Sequence, residues 1–353
     1  MPTPAGMPTC PKRVPPSNSS WWADSNYCKA VMCFAGWGGC PSNAWKDATA
    51  VEIAKEGQAS ASEPLVLVNA GANKGYAVAE FAQRFGGAAF SAHDWLGNLT
   101  DIKPNMVWKC GFCGACRSPQ PQSHANGLMK IHAHAVEILP SNVLVLQDMF
   151  RRMRIPGTVH ALAFSNYTGS AYRSRFFRTG QEDSGVRASA EGHSVPMDCT
   201  TVDEFASRHN VRHIHHLALD AEGSDMRILR GAESMLRQSR ISLLEFEFSP
   251  KKWMDAEGMW GAAVAAGDNA KAILAAPARD LARTVGWLHR LGYTCFCAHA
   301  PTDTNPPLST ATARSTRTDD CRGGESHARR SISPLCLQGK GAPLRSLLTM
   351  PPC

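Results

Sequence analysis

Short, unbroken apolar runs alternate over residues 63–300 with stretches whose apolar residues recur every three or four positions. Leu65–Ala70 (LVLVNA) is bulky and almost continuous, the pattern of a strand buried on both faces. Val78, Phe81, Ala82 and Phe85 follow at helical spacing until Gly86-Gly87 ends the pattern. Ile131–Ile138 (IHAHAVEI) alternates and predicts a second strand. Ser141–Arg154 carries Val143, Leu146, Met149, Phe150 and Met153 on one helical face. Val159–Phe164 predicts a third strand, Thr200–His209 a short helix and Ile214–Asp220 a fourth strand. Ser224 can cap a helix that puts Met226, Leu229, Ala232 and Leu236 on one face. Ile241–Phe248 reads as a fifth strand, and a helix over 278–291 leads through Gly292 to a strand Tyr293–Ala300. Strands and helices in this alternation predict an α/β fold with a mostly parallel, doubly wound sheet.

Either side of this block the composition changes. Residues 1–62 are rich in Pro, Ser, Gly and Cys, with Trp21, Trp22, Trp37 and Trp45 as docking anchors, and read as an extension packed on the domain. Residues 301–353 are rich in Ser, Thr, Pro and Arg and read as a flexible tail. No apolar run approaches the roughly 20 residues that span a bilayer, and the start of the chain lacks the apolar core of a signal peptide. The compartment stays open. The net charge of +7, from 37 basic and 30 acidic side chains, is mild and lies partly in the tail, so nucleic acid is not an expected partner. Sequons at Asn18, Asn98 and Asn166 matter only if the chain is secreted.

The chemistry starts where the first strand ends. In VNAGANKGY (Val68–Tyr76), Gly71 and Gly75 let the backbone approach a ligand with no Cβ in the way. Strand, glycine turn and helix form the cofactor crevice of an open α/β sheet. The spacing G-x-x-x-G departs from the dinucleotide pattern G-x-G-x-x-G, whose glycines make room for a pyrophosphate. A looser turn suits a cofactor without phosphate, of which S-adenosylmethionine is one. Glu137, ending the second strand, is placed to accept both hydroxyls of a ribose; the alternative is a solvated strand-end carboxylate.

Six segments then carry a resemblance in order: VNAGANKGY, AVEILPSN (Ala135–Asn142), VHALAFSNYTGSA (Val159–Ala171), CTTVDEF (Cys199–Phe205), LALDAEGSDMRILRGAESML (Leu217–Leu236) and LLEFEF (Leu243–Phe248). Together they resemble the FkbM family of S-adenosylmethionine-dependent methyltransferases. The resemblance implies a class I, Rossmann-like methyltransferase domain over 63–300 that acts on a hydroxyl oxygen, on a sugar or another small polyhydroxylated acceptor. It implies that Asn69, Gly71, Ala72, Asn73 and Gly75 line the cofactor, that Glu137 holds its ribose, and that the stretch around Ala163 lies near its adenine. Asp220 and Glu222, ending the fourth strand, would face the transferring methyl group as catalytic base, acceptor ligand or cation ligand; the alternative is that they cap the following helix. Two positions depart from the family's usual pattern: Asn69 stands where Asp is common, and Ala218-Leu219 where a Lys precedes the strand-end Asp. They keep a second reading in view, a catalytically degenerate methyltransferase fold serving as an interaction module stabilised by zinc or disulfides. A nucleotide-dependent oxidoreductase on the same sheet is a third, disfavoured by the glycine turn.

Most of the thirteen cysteines crowd peripheral segments, away from the predicted central strands. An insertion over about 86–130 carries Cys110, Cys113 and Cys116 at CxxCxxC spacing with His124 beyond. These four residues are a candidate structural zinc set. Disulfides to Cys28, Cys33 or Cys40, and free thiols, are the alternatives. The insertion's attachment points put it beside the crevice as a lid or acceptor-recognition element. His132 and His134, and His213, His215 and His216, read as satisfied or solvated histidines.

Overall fold

The computed structural model describes residues 63–87, 90, 92–103, 129–174, 178–180, 186–187, 193–247, 270–297 and 334–338. β1 (Leu65–Ala70) lies inside a seven-stranded sheet, flanked in parallel by β2 (Ile131–Glu137) and β8 (Ile214–Leu219). The order is β10-β11-β9-β8-β1-β2-β3, where β3 is Gly157–Ala161, β9 Ile241–Phe246, β10 Tyr293–Cys297 and β11 Pro334–Gln338. From β1 the chain winds outward through β2 to β3, then returns to the other side of β1 as β8. That reversal opens a crevice at the carboxyl ends of β1 and β8. β11 runs antiparallel between β9 and β10. This strand lies within the segment 301–353, whose polar composition predicted only a tail.

Alternate side chains of each central strand enter two separate cores, which is why the strands are apolar throughout. Leu65 and Leu67 meet α1 (Tyr76–Phe85), α2 (Ala92–Ile102) and α3 (Pro140–Arg152) through Val78, Phe81, Trp95, Leu146 and Met149. On the other face, Val68, Ala70, Leu217 and Leu219 meet Phe205 and Ala206 of α4 (Val202–Arg208), Leu229 of α5 (Asp225–Arg230), Leu236 of α6 (Glu233–Arg237), and Val285 and Leu288 of α7 (Ala270–Arg290). Each fully buried Leu or Val contributes about 1.5–3 kcal/mol.

The structure departs from the sequence expectation at two joints. The third strand is not continuous: after β3 the chain enters β4 (Ala163–Phe164), which pairs with β7 (Ser194–Thr200) in a second, four-stranded sheet with β5 (Gly169–Ser174) and β6 (Val186–Arg187). The helix expected from Ser224 to Leu236 breaks into α5 and α6 at Gly231. Asp203 takes over the hydrogen bonds of the missing turn. Its N–H donates to the Gly231 carbonyl, and its carboxylate accepts from the N–H groups of Ser234 (2.8 Å) and Met235 (2.9 Å). A Cβ at Gly231 would lie 2.0 Å from the Ser165 carbonyl oxygen, so only glycine fits the joint. Upstream, the Thr201 hydroxyl accepts from the Glu204 N–H and caps α4.

Cys199 is a buried free thiol, and Cys295 is disulfide-bonded. No described helix is long and apolar enough to cross a membrane.

Under α4, His134 and His160 are buried against each other, as satisfied histidines. His134 Nδ1 and His160 Nε2 share a hydrogen bond of 3.0 Å, and both rings meet Phe205 edge-on. His132 and His209 stack at the margins. Burial, with the neighbouring imidazoles, pushes His134 down to about 3 and His160 to about 4. His215, whose Nδ1 accepts the Val66 N–H, is pushed down to about 4, chiefly by burial.

Two predictions follow from the packing. Leu146 is buried without exposure beneath the crevice, so Leu146→Ala is expected to lower unfolding free energy by about 2–5 kcal/mol, read by urea denaturation. The histidine effect has a definite sign. Folded-state pKa values below the unfolded value mean that the unfolded chain binds more protons as pH drops below about 6.5, so this stability is present above that pH and is lost towards pH 4. Asp225, pushed up to about 7, acts in the opposite sense over that range. The expected result is therefore comparative: His134→Leu/His160→Leu flattens the fall in Tm between pH 6.5 and 4.5, and an unchanged slope assigns acid sensitivity elsewhere.

Candidate active site

At the carboxyl end of β1 the chain turns through a loop tied on three sides. The N–H groups of Gly71 and Ala72 both donate to the Val136 carbonyl at the end of β2, at 3.0 and 3.1 Å. The Asp220 N–H donates back to the Ala70 carbonyl from the end of β8. Gly71 has φ +74°, and a Cβ there would lie 1.9 Å from the Asp220 carbonyl oxygen. Its glycine is thus required by the contact between two strand ends. Gly75, at φ +80°, opens α1, and a Cβ there would meet the Trp95 ring at 2.6 Å. Trp95 of α2 also donates its indole N–H to the Lys74 carbonyl at 2.8 Å. The described helix of the insertion therefore braces the loop from below.

Glu137 is 3% exposed, and both of its carboxylate oxygens are engaged. Oε2 accepts the Asn73 N–H at 2.7 Å and Oε1 the Leu139 N–H at 2.8 Å. The first bond fixes the loop; the second serves the amino end of α3, whose first residue is Pro140. Burial pushes the Glu137 carboxyl up, against the hydrogen bonds from Leu139, Asn73, Ile138 and Asn142 that pull it down. A carboxylate retains lone pairs beyond one bond per oxygen.

Asn69, 4% exposed, donates Nδ2–H to the Ala218 carbonyl at 3.3 Å, while its buried Oδ1 has no hydrogen-bond partner among the described residues. An unsatisfied buried acceptor is costly in a native protein. At the end of β1 it fits a cofactor carrying hydrogen-bond donors, so the residues present suit the group that the loop implies. Ala72 is buried on the α1 side. Ala163 is buried within the small sheet, opposite Cys199 in the register.

Across the crevice, β8 delivers Asp220, which is exposed, and Glu222, which is half-buried and left-handed at φ 54°. One carboxylate oxygen from each lies within 4.8 Å of the others and of Glu247, which follows β9. Asp225, first residue of α5, stands behind them at 1% exposure. Burial, then the Glu247 charge, pushes its carboxyl up to about 7. Ser224 precedes α5 but makes no side-chain capping bond.

The structure therefore brings Asn69, Gly71, Ala72, Asn73, Gly75 and Glu137 together around one loop and sets Asp220 and Glu222 beside it. Three neighbours escaped the sequence reading. Lys74, inside the glycine loop, is 1% exposed, with Nζ 6.0 Å from the Tyr76 ring centroid. A lysine in a turn predicts a solvated side chain, and nothing local signals its burial. Asp225 resembled a helix-start residue. Glu247 lay in LLEFEF, and register carried its signal: Leu219 pairs with Phe246, so Asp220 and Glu247 end adjacent strands at one height. Cys110, Cys113, Cys116 and His124 lie outside the described residues.

Comparison with known proteins agrees with this geometry. The family model described as the methyltransferase FkbM domain matches residues 69–295, from the end of β1 to β10. No curated protein and no solved structure matches. A match over more than half of the chain, spanning the crevice and both core faces, establishes that this protein belongs to the FkbM methyltransferase family.

Proposed function

We propose that the protein transfers a methyl group from S-adenosylmethionine to a hydroxyl oxygen of a small acceptor of the sugar or polyhydroxylated class. The observation that carries this reading is the buried, unsatisfied Oδ1 of Asn69 at the end of β1, beside a glycine loop that Glu137 ties to β2, with Asp220 at the neighbouring strand end. Bound S-adenosylmethionine supplies a methyl carbon already activated by its sulfonium. What remains for the chain is alignment and proton removal.

In this reading Asn69, Gly71, Ala72, Asn73 and Gly75 hold the methionine side of the cofactor. Glu137 accepts from the ribose hydroxyls with the lone pairs that Asn73 and Leu139 leave, and the Ala163 segment borders the adenine. Asp220, the exposed carboxylate, takes the acceptor hydroxyl proton, and Glu222 orients the acceptor. Asn69 in place of the family's usual Asp removes one negative charge beside the sulfonium yet keeps an acceptor oxygen there. The Ala218 carbonyl accepts from Asn69 and holds its amide in place. The rival, a degenerate fold that binds partners, predicts no turnover with any hydroxylated acceptor.

Isothermal titration with S-adenosylhomocysteine, and NAD in parallel, tests the crevice. Micromolar binding of the first and silence of the second are expected; the reverse result would sink the methyltransferase reading. Glu137→Ala is expected to weaken S-adenosylhomocysteine binding by about 1–3 kcal/mol and also to lower Tm, because two N–H groups lose their acceptor. Unchanged affinity removes Glu137 from the site. Asp220→Asn is expected to leave that affinity intact and reduce turnover by about 100-fold or more; full turnover would show that the base lies elsewhere.

A further inference from the structure

Two parallel strands in register end at one height, and both end in acid. Leu219 of β8 pairs with Phe246 of β9, and the next residues along are Asp220 and Glu247. The left-handed turn at Glu222 and Gly223 folds a third carboxylate back over them. One oxygen from each of Asp220, Glu222 and Glu247 lies within 4.8 Å of the other two. Oxygens that share an ion at about 2.0–2.6 Å stand no more than about 4–5 Å apart, so the three already occupy the space of one coordination shell.

Asp225 supplies a separate observation. Its carboxyl is 1% exposed, and Oδ2 has no hydrogen-bond partner among the described residues. Oδ1 accepts from the Ala221 N–H (3.5 Å) and the Glu247 N–H (3.3 Å), which places the group between the two strand ends. The group therefore sits directly behind the backbone that carries Glu247. A buried acidic oxygen with no donor calls for positive charge nearby.

We propose that Asp220, Glu222 and Glu247 bind one divalent cation of the magnesium, manganese or calcium class, with Asp225 positioning Glu247 from behind. All-oxygen donors select hard cations over zinc or copper. Buried Glu247 anchors the ion, while exposed Asp220 leaves its crevice side open. An acceptor hydroxyl that completes the shell there becomes more acidic and gives its proton to the Asp220 oxygen that does not hold the ion, which deepens the reading of an oxygen methyltransferase and rests on it for that role. The acceptor class narrows to molecules whose reacting oxygen can bind a hard cation.

The test is titration of the EDTA-treated, desalted full chain with manganese(II), followed by electron paramagnetic resonance of the free ion. It is run with and without S-adenosylhomocysteine, whose own affinity is measured in EDTA. One saturable manganese site per chain is expected, displaced by excess magnesium or calcium. Glu247→Gln and Glu222→Gln are each expected to weaken it at least tenfold, with S-adenosylhomocysteine affinity within about twofold of the parent. Circular dichroism checks folding, and Glu222→Gln alone decides should Glu247→Gln unfold. Absence of saturable binding to the folded chain overturns the proposal, as does full manganese affinity in a folded Glu222→Gln variant. S-adenosylhomocysteine binding without manganese binding removes the cation and leaves the methyltransferase reading standing. Manganese binding without S-adenosylhomocysteine binding keeps the ion and removes that reading.

Discussion

The site depends on one buried carboxylate. Glu137 accepts two backbone N–H groups from different elements, Asn73 in the glycine loop and Leu139 before α3, and thereby joins the loop, the end of β2 and the start of a helix. Such charge-assisted bonds are strong in a low-dielectric setting, where nothing else can satisfy those N–H groups. Burial alone would favour a neutral acid here. The surrounding donors oppose that and support the charged form. The close approach of Gly71 to the Asp220 carbonyl extends the unit across the switch point to β8.

The same economy appears below the loop. α2 belongs to the insertion, yet Trp95 fills the space under Gly75 and hydrogen-bonds the Lys74 carbonyl. A segment suggestive of a lid supports, in its described part, the glycine turn. Leu146 of α3 presses on Gly75 from beside it. Two side chains thus pack against a backbone conformation whose own hydrogen bonds are made, Gly75 N–H to the Ala72 carbonyl and Ala79 N–H to the Gly75 carbonyl.

Behind the carboxylates the fold relies on polar substitution for regular helix bonds. Asp203 takes the place of the missing turn between α5 and α6, which lets Gly231 press against Ser165 and docks the small sheet onto the main one. This keeps α5 short and sets Asp225 directly behind β8 and β9.

The central strands and flanking helices were legible in the sequence because their cause is local. Buried parallel strands need continuous apolar runs such as LVLVNA, and amphipathic helices repeat every three to four residues, as in Val78, Phe81 and Phe85. The glycine turn, Glu137 and Asp220 were legible too, since each ends a predictable strand. Tertiary structure decided the rest through contacts distant in sequence. Asp203 breaks a helix that starts over twenty residues later, and β11 completes the sheet from a polar segment of little intrinsic pattern. The buried state of Lys74, Asp225 and the His134–His160 pair follows from which elements pack over them. Periodicity records which face of a strand or helix is apolar. It does not record which polar group will be covered, because that depends on the surface arriving from elsewhere in the chain.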